Sequence, residues 1–140
     1  MVLLLIAIIA VMTLYHPNKT GIAPKTLSYE DSVRLHYDHL VFQRTHQLSL
    51  LEFGNGSCRE CIKMEAVIDS IDLEFSGIVF LDKINLREKT NRKTAAVFDI
   101  NMIPSQVILD RRGELLFTHT GFLAYDSLKT IILDHLKSCP

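Results

Sequence analysis

Apolar and polar positions along the chain predict alternating helices and strands. Ser28 can cap a helix whose apolar residues recur at helical spacing to about His46. Leu48 to Phe53 is a short apolar run that ends in the turn-forming stretch Gly54-Asn55-Gly56-Ser57, so it predicts a strand. A second helix is predicted directly after it, because the following apolar residues recur every three or four positions. Its buried stripe would consist of Met64, Val67, Ile68, Ile71 and Phe75.

The rest of the chain continues this alternation. Ile78 to Ile84 is a nearly continuous apolar run, which is typical of a central strand covered on both faces and parallel to the first. Arg87 to Phe98 predicts a polar helix, and Tyr125 to Lys137 predicts a last amphipathic helix. Between them, Val107 to Leu109 and Leu115 to Thr118 predict an antiparallel hairpin. This order predicts an α/β fold with a mixed central sheet flanked by helices.

The beginning of the chain differs in composition from the rest. Residues 2–15 are almost wholly apolar, and residues 16–28 change abruptly to a linker rich in turn-forming residues. As a helix, the apolar run would span about 21 Å, against about 30 Å for the hydrocarbon core of a bilayer. We expect residues 1–15 to be a signal anchor or signal peptide and residues 29–140 to form the domain. A buried N-terminal helix or strand of that domain is the alternative.

Composition and charge exclude several classes of function. The 140 residues, 48% of them hydrophobic, are enough for one domain with one buried core. A formal net charge of -1 gives no electrostatic reason to expect nucleic acid as a partner. Three cysteines are too few for a scaffold held together by disulfides. Two of them, Cys58 and Cys61, have the spacing of redox and metal sites.

The cysteine pair lies at the start of the helix in the predicted strand-loop-helix unit. Free N–H groups and the helix dipole stabilise a thiolate there, so Cys58 is predicted to be the nucleophile. Cys61 lies three residues further on the same helical face and is predicted to resolve the mixed disulfide. Structural zinc needs four ligands, and haem attachment needs a histidine where Ile62 stands, so we expect no metal and no cofactor. A static structural disulfide remains the alternative.

From about Leu48 to Lys137 the chain resembles the thioredoxin family at positions beyond the two cysteines. Glu52 matches the family's buried acid and Lys83 matches the lysine near that acid, so the resemblance implies catalytic roles for both. Ile103-Pro104 matches the cis-proline loop, and Gly121 matches the glycine after the last strand. The resemblance implies that these residues bind the substrate and that the domain has a thioredoxin-like fold.

The chemistry of Glu52 can also be argued without the family. Glu52 lies in an apolar strand, where burial would raise its pKa and suit it to exchange a proton with Cys61. A carboxylate in solvent at the strand end, or one paired with Lys83, is the alternative. A cis bond before Pro104 would leave the backbone of Ile103 free to pair with an extended substrate segment.

The chain also departs from the family pattern around the cysteines. Ser57 stands in place of the usual tryptophan, Arg59-Glu60 in place of the frequent Gly-Pro, and Ala66 in place of a helix-kinking proline. Arg59 favours a thiolate at Cys58 while Glu60 opposes it, so the helix terminus is left as the main activating factor. The direction of electron flow does not follow from local charge.

Together these features predict an extracytoplasmic thiol-disulfide oxidoreductase that reduces protein disulfides. Residues 2–15 would anchor it in a membrane or export it to the periplasm or beyond. Its resemblance to anchored reductants implies an integral membrane thiol carrier as electron donor. The alternatives are a non-catalytic binding module with a static Cys58-Cys61 bond, or a disulfide oxidase or isomerase. Cys139 is expected to be a fortuitous exposed thiol.

Overall fold

The computed structural model describes residues 46–138, which contain four strands and three helices. The strands are β1 (Leu48–Gly54), β2 (Val79–Asn85), β3 (Ser105–Leu109) and β4 (Leu115–Thr120), and the helices are α1 (Arg59–Glu74), α2 (Lys89–Val97) and α3 (Tyr125–Ser138).

Several sequence predictions lie outside the described residues. These are the N-terminal apolar segment, the linker, the helix predicted from Ser28 onwards, and Cys139. Within residues 46–138, none of the helices combines the length and the apolar character that crossing a bilayer requires.

The four strands form one mixed sheet in the order β2-β1-β3-β4. β1 pairs with β2 in parallel and with β3 antiparallel, and β3 pairs with β4 antiparallel. The mixed sheet and the β3-β4 hairpin confirm the sequence predictions. The hairpin turns at Asp110, whose carboxylate accepts hydrogen bonds from the N–H groups of Arg112 and Glu114, and Gly113 adopts a φ of +80°.

The prediction that the Ile78–Ile84 run is the strand covered on both faces was wrong. Every residue of β1 and of β3 is buried, whereas in β2 only Val79 and Ile84 are, and Lys83 is exposed. The physical reason is the strand order, which places β1 between β2 and β3. The strand that leads into the cysteine pair is therefore an interior strand of this sheet and is buried along its whole length.

Alternate residues of β1 point to opposite faces of the sheet and belong to two hydrophobic clusters. Leu48 and Leu50 pack against α1 and α3, and Leu51 and Phe53 pack on the face that α2 covers. Full burial of each such side chain stabilises the fold by about 1.5–3 kcal/mol. Glu52 continues the row of Leu48 and Leu50, so the apolar face that holds α1 also carries an acid.

Helix α1 packs on this face through residues at helical spacing. The buried positions predicted from the sequence are confirmed, except that Val67 is only half-buried. The buried residues of α1 are Cys61, Met64, Ile68 and Ile71. Past the helix end, Gly77 has a φ of +78°, a conformation that glycine adopts without strain. The buried stripe of α1 thus begins with a cysteine, Cys61, in the first turn of the helix.

Candidate active site

A hydrogen-bonded loop connects β1 to α1 and sets the position of Cys58. The side-chain oxygen of Asn55 accepts hydrogen bonds from the backbone N–H groups of Ser57 and Cys58, each at 3.0 Å, and from the Ser57 hydroxyl at 3.1 Å. Gly56 between them has a φ of +66°, in the left-handed region. The sequence indicated a turn here, but it did not identify Asn55 as the residue that organises it.

The two cysteines form a disulfide across the first turn of α1, with their Cα atoms 5.1 Å apart. Cys58 is the N-cap residue and is half-buried, whereas Cys61 is only 3% exposed. The N–H of Cys61 donates a hydrogen bond to the Cys58 sulfur at 3.0 Å. This donor is one of the free N–H groups at a helix start, and it would stabilise a thiolate on Cys58. Of the two sulfurs, Cys58 is thus the one open to a substrate.

Glu52 is buried in β1, with 7% of its surface exposed. Burial raises its pKa from 4.5 to about 7; the positive charge of Lys83 opposes this rise and the negative charge of Glu65 adds to it. None of the ion pairs within residues 46–138 includes Glu52. The carboxyl group can therefore change its protonation state near neutral pH.

Lys83 lies beside Glu52 in the parallel register of β1 and β2, as the family resemblance implied. Its ammonium group, however, pairs with Asp69 on the exposed side of α1. The charge of Lys83 acts on Glu52 without an ion pair, which is why burial determines the direction of the pKa shift. Asp69 had no signal in the sequence, because its contact with Lys83 depends on how α1 packs against β2.

Glu52 and Cys61 line the same cleft, which has a volume of about 120 Å³. Its walls are formed by Glu52, Gly54, Gly56, Cys61, Glu65, Lys83, Ile84 and Asn85. The cleft gives the buried sulfur and the buried carboxyl group a common opening to solvent. A larger, shallower depression lies further along α1, around Leu73, Glu74 and Tyr125.

Gln106 is a second buried polar residue next to Glu52. The antiparallel register of β1 and β3 places it directly opposite Glu52, and it is fully buried. Its Nε2 donates to the Gly121 carbonyl at 3.4 Å, and its Oε1 has no hydrogen-bond partner within residues 46–138. Sequence reasoning missed this residue, although a glutamine inside an apolar strand could have marked it.

The predicted substrate-binding residues come together where the loop before β3 meets the end of β4. The Ile103-Pro104 peptide bond is cis, as the resemblance implied, and the Gly121 N–H donates to the Pro104 carbonyl at 2.7 Å. Two exposed apolar side chains flank them, Met102 at 67% and Phe122 at 42% exposure. Lys63 of α1 lies 6.0 Å from the centre of the Phe122 ring, so this surface adjoins the first turns of α1.

Residues 46–138 contain no group of three or more His, Cys, Asp or Glu side chains that could hold a metal ion.

Known proteins similar to this chain include thioredoxins from two bacteria. The chain is 31% identical over 87 residues to thioredoxin of Haemophilus influenzae, covering 62% of this chain and 78% of the relative. It is 29% identical over 88 residues to thioredoxin of Buchnera aphidicola, covering 63% and 79%. No family profile matches the chain.

Two solved structures show the same fold. Thioredoxin NaTrxh from Nicotiana alata superposes with a TM-score of 0.60 at 22% identity, covering 77% of this chain and 89% of that one. Malaria parasite thioredoxin-2, described as a component of protein secretion machinery, gives 0.59 at 20% identity, covering 64% and 84%. The predicted thioredoxin-like fold is therefore confirmed for the described part of the chain. With its Cys58-Cys61 pair in disulfide contact, the chain belongs to the thioredoxin family and is a thiol-disulfide oxidoreductase.

Proposed function

We propose that this protein reduces disulfides of protein substrates outside the cytoplasm, with Cys58 as the attacking thiol and Cys61 as the resolving thiol. The observation that carries the proposal is the difference between the two sulfurs. Cys58 is half-exposed at a helix start, and Cys61 is buried in the cleft that also contains Glu52. Attack requires an accessible thiolate, and resolution requires a second thiol held within reach.

The reaction transfers two electrons from the cysteine pair to the substrate. The Cys58 thiolate attacks one sulfur of the substrate disulfide, and the other sulfur leaves as a thiolate that takes up a proton. The Cys61 thiolate then attacks the Cys58 sulfur and releases the second substrate thiolate, which is also protonated. The Cys58-Cys61 disulfide seen in the structure is the product of this half-cycle. A dithiol donor must reduce it before the next turnover.

Glu52 is proposed to take the proton from the Cys61 thiol as that thiol attacks. A group whose pKa lies near the working pH transfers protons most effectively, and the pKa of Glu52 is raised to about 7. The shared cleft offers a path for the proton between the two groups and solvent. Lys83 is proposed to moderate this pKa from the neighbouring strand, since its positive charge opposes the effect of burial.

The substrate is proposed to bind as an extended segment along Ile103, Pro104 and Gly121. The bond between Gly121 and Pro104 ties the loop before β3 to the end of β4. An extended substrate segment could add its backbone there in the manner of an extra strand. The exposed Met102 and Phe122 would provide apolar contact on either side.

The extracytoplasmic location rests on the apolar character of residues 2–15, which is typical of an export or anchoring segment. A protein retained at the membrane in this way could receive electrons from an integral membrane thiol carrier. We therefore propose such a carrier as the dithiol donor.

The mechanism is tested with a Cys61→Ser variant of the full chain, which should trap substrates as mixed disulfides on Cys58. A Cys58→Ser variant is the matched control and should trap none. Counting alkylatable thiols in glutathione buffers provides an independent test. If the pair of the native protein cannot be reduced without unfolding, or both variants trap equally, the reductase proposal fails in favour of a static disulfide.

The location is tested by fusing the C-terminus to a reporter enzyme that is active only outside the cytoplasm. The full chain should give reporter activity, and a chain without residues 2–15 should give none. Equal activity of the two fusions would contradict the proposed role of this segment. The redox potential from the glutathione titration separates a reductase from an oxidase or isomerase.

A further inference from the structure

Gly54 is in contact with the acid of the site. It lies two residues after Glu52 in β1, so both positions face the same side of the sheet. A Cβ atom built on Gly54 would lie 2.9 Å from Oε1 of Glu52 and 3.3 Å from Oε2. Real Cβ atoms do not approach other atoms at 2.9 Å, so the Glu52 carboxylate occupies the space that any other residue at position 54 would need.

The backbone gives no reason for a glycine at this position. Gly56 has a φ of +66° and Gly121 of +102°, conformations that favour glycine, whereas Gly54 ends a regular strand and has no positive φ. Glycine in a strand often marks a close approach of another group. Here the approaching group is the carboxylate two residues earlier.

We propose that Gly54 is a positioning residue. Because it has no side chain, it leaves room for the Glu52 carboxylate to lie in the cleft beside Cys61. Glu52 is one methylene longer than aspartate, and its side chain reaches far enough to lie over the next position on the same face. Glutamate at position 52 thus requires a residue as small as glycine at position 54. This inference rests on the proposed role of Glu52 in proton transfer and adds a second residue to it.

The surroundings of Glu52 indicate where a displaced carboxylate would go. Its charged neighbours are Lys83 on β2 and Glu65 on α1, while Gln106 faces it from β3 without a charge. Lys83 is itself held by Asp69. The sheet side is close-packed, and the cleft is the open side. A methyl group at position 54 would therefore push the carboxylate towards solvent and Lys83.

The test compares Gly54→Ala, Glu52→Asp and the double variant with the native protein. Gly54→Ala should lower the titration midpoint of the Glu52 carboxyl carbon, followed by NMR in the disulfide form, by about one pH unit. It should also slow release of the mixed disulfide about tenfold at neutral pH. Because the aspartate carboxylate stops short of position 54, adding Gly54→Ala to Glu52→Asp should change the release rate by less than about twofold.

Thermal unfolding controls for damage to the fold. If Gly54→Ala unfolds while the double variant folds, the clash with the carboxylate is confirmed. An unchanged midpoint and release rate in Gly54→Ala would overturn the proposal. Equal slowing in the Glu and Asp backgrounds, or failure of both Ala variants to fold, would also overturn it. If the native protein reduces no substrate, the proposed function fails, and the NMR titration still decides the role of Gly54.

Discussion

Two glutamates, Glu52 in β1 near the start of α1 and Glu74 at the end of α1, show how differently one fold can treat the same side chain. Glu74, the last residue of the helix, accepts a hydrogen bond from the Tyr125 hydroxyl and pairs with Lys129 at 2.6 Å. These hydrogen bonds lower the pKa of Glu74 and raise those of Tyr125 and Lys129. Near the other end, Glu52 is buried without an ion pair among residues 46–138, and its pKa is raised to about 7.

The difference separates a structural acid from a reactive one. Glu74 remains an anion at neutral pH and links α1 to α3, where the Lys129 ammonium pairs with it and the Tyr125 hydroxyl donates a hydrogen bond to it. Glu52 changes its charge at neutral pH because burial penalises the anion. A group that transfers protons needs an anion that is not fully stabilised, as in Glu52. A contact that only joins two helices has no such requirement.

The largest effect should come from removing the reactive acid. In Glu52→Gln, release of the mixed disulfide should slow by about 10- to 100-fold at neutral pH, because a positioned general base contributes at least this much. Formation of the mixed disulfide should change little, since it depends on Cys58. Rapid-quench kinetics separate the two steps. Glu74→Gln is the matched control and should leave both rates unchanged. Equal slowing of formation and release would make Glu52 structural.

The next effect concerns how the free energy of unfolding depends on pH. Between pH 4.5 and about 7 the unfolded chain ionises Glu52 while the folded disulfide form keeps it protonated, so stability falls as pH rises through this window. The loss should reach about 2 kcal/mol above pH 7, reduced from the full linkage value by solvent at the cleft. Urea unfolding at pH 5 and pH 8 measures it. Glu52→Gln should lack this loss of stability. If the variant loses as much stability as the native protein, other titratable groups cause the loss.

A smaller effect should follow from disturbing the loop without touching the acid. Asn55→Ala removes the acceptor for the N–H groups of Ser57 and Cys58, which should cost about 1 kcal/mol of stability. Attack by Cys58 should slow several-fold, since its position at the helix start is then less fixed.

The matched variant for this loop is Asn55→Asp, which keeps the acceptor oxygen and adds a negative charge. It should keep the stability of the native protein while still slowing attack, because the charge opposes a thiolate on Cys58. Stopped-flow measurement of attack and urea unfolding distinguish the two variants. Loss of stability in both would show that Asn55 acts through more than its oxygen.

The smallest effect should come from the structural acid. Lys129→Met removes the cation at Glu74, and exposed ion pairs contribute little. The urea midpoint should shift less than in Asn55→Ala, and the rates of attack and release should not change. A change in either rate would mean that the two ends of α1 are coupled, and the contrast between the two glutamates would need revision.

The sequence predicted those parts of the site that depend on residue patterns within short segments of the chain. The helix start at Cys58, the buried stripe of α1 and the β3-β4 hairpin each follow from periodicity and turn residues. Burial of Glu52 could be predicted because its neighbours in the strand are apolar. The cis bond before Pro104 and the placement of Lys83 beside the acid came from the family resemblance instead.

Other features depend on contacts between elements that are distant in sequence. The ion pair of Lys83 with Asp69 joins β2 to α1, and the position of Gln106 opposite Glu52 depends on strand register. The contact of the Glu52 carboxylate with Gly54 depends on one side-chain rotamer. No periodic pattern encodes these contacts. The misassigned exposure of β2 has the same origin, since the order of strands in a sheet is a property of the whole fold.

The disulfide closes one of the shortest loops that two cysteines can form, with a sequence separation of three. Cross-links stabilise proteins chiefly by restricting the unfolded chain, and they do so least when the closed loop is short. Breaking this bond should therefore leave the sheet and the packing of α1 intact. The protein can thus be oxidised and reduced repeatedly without a change of fold.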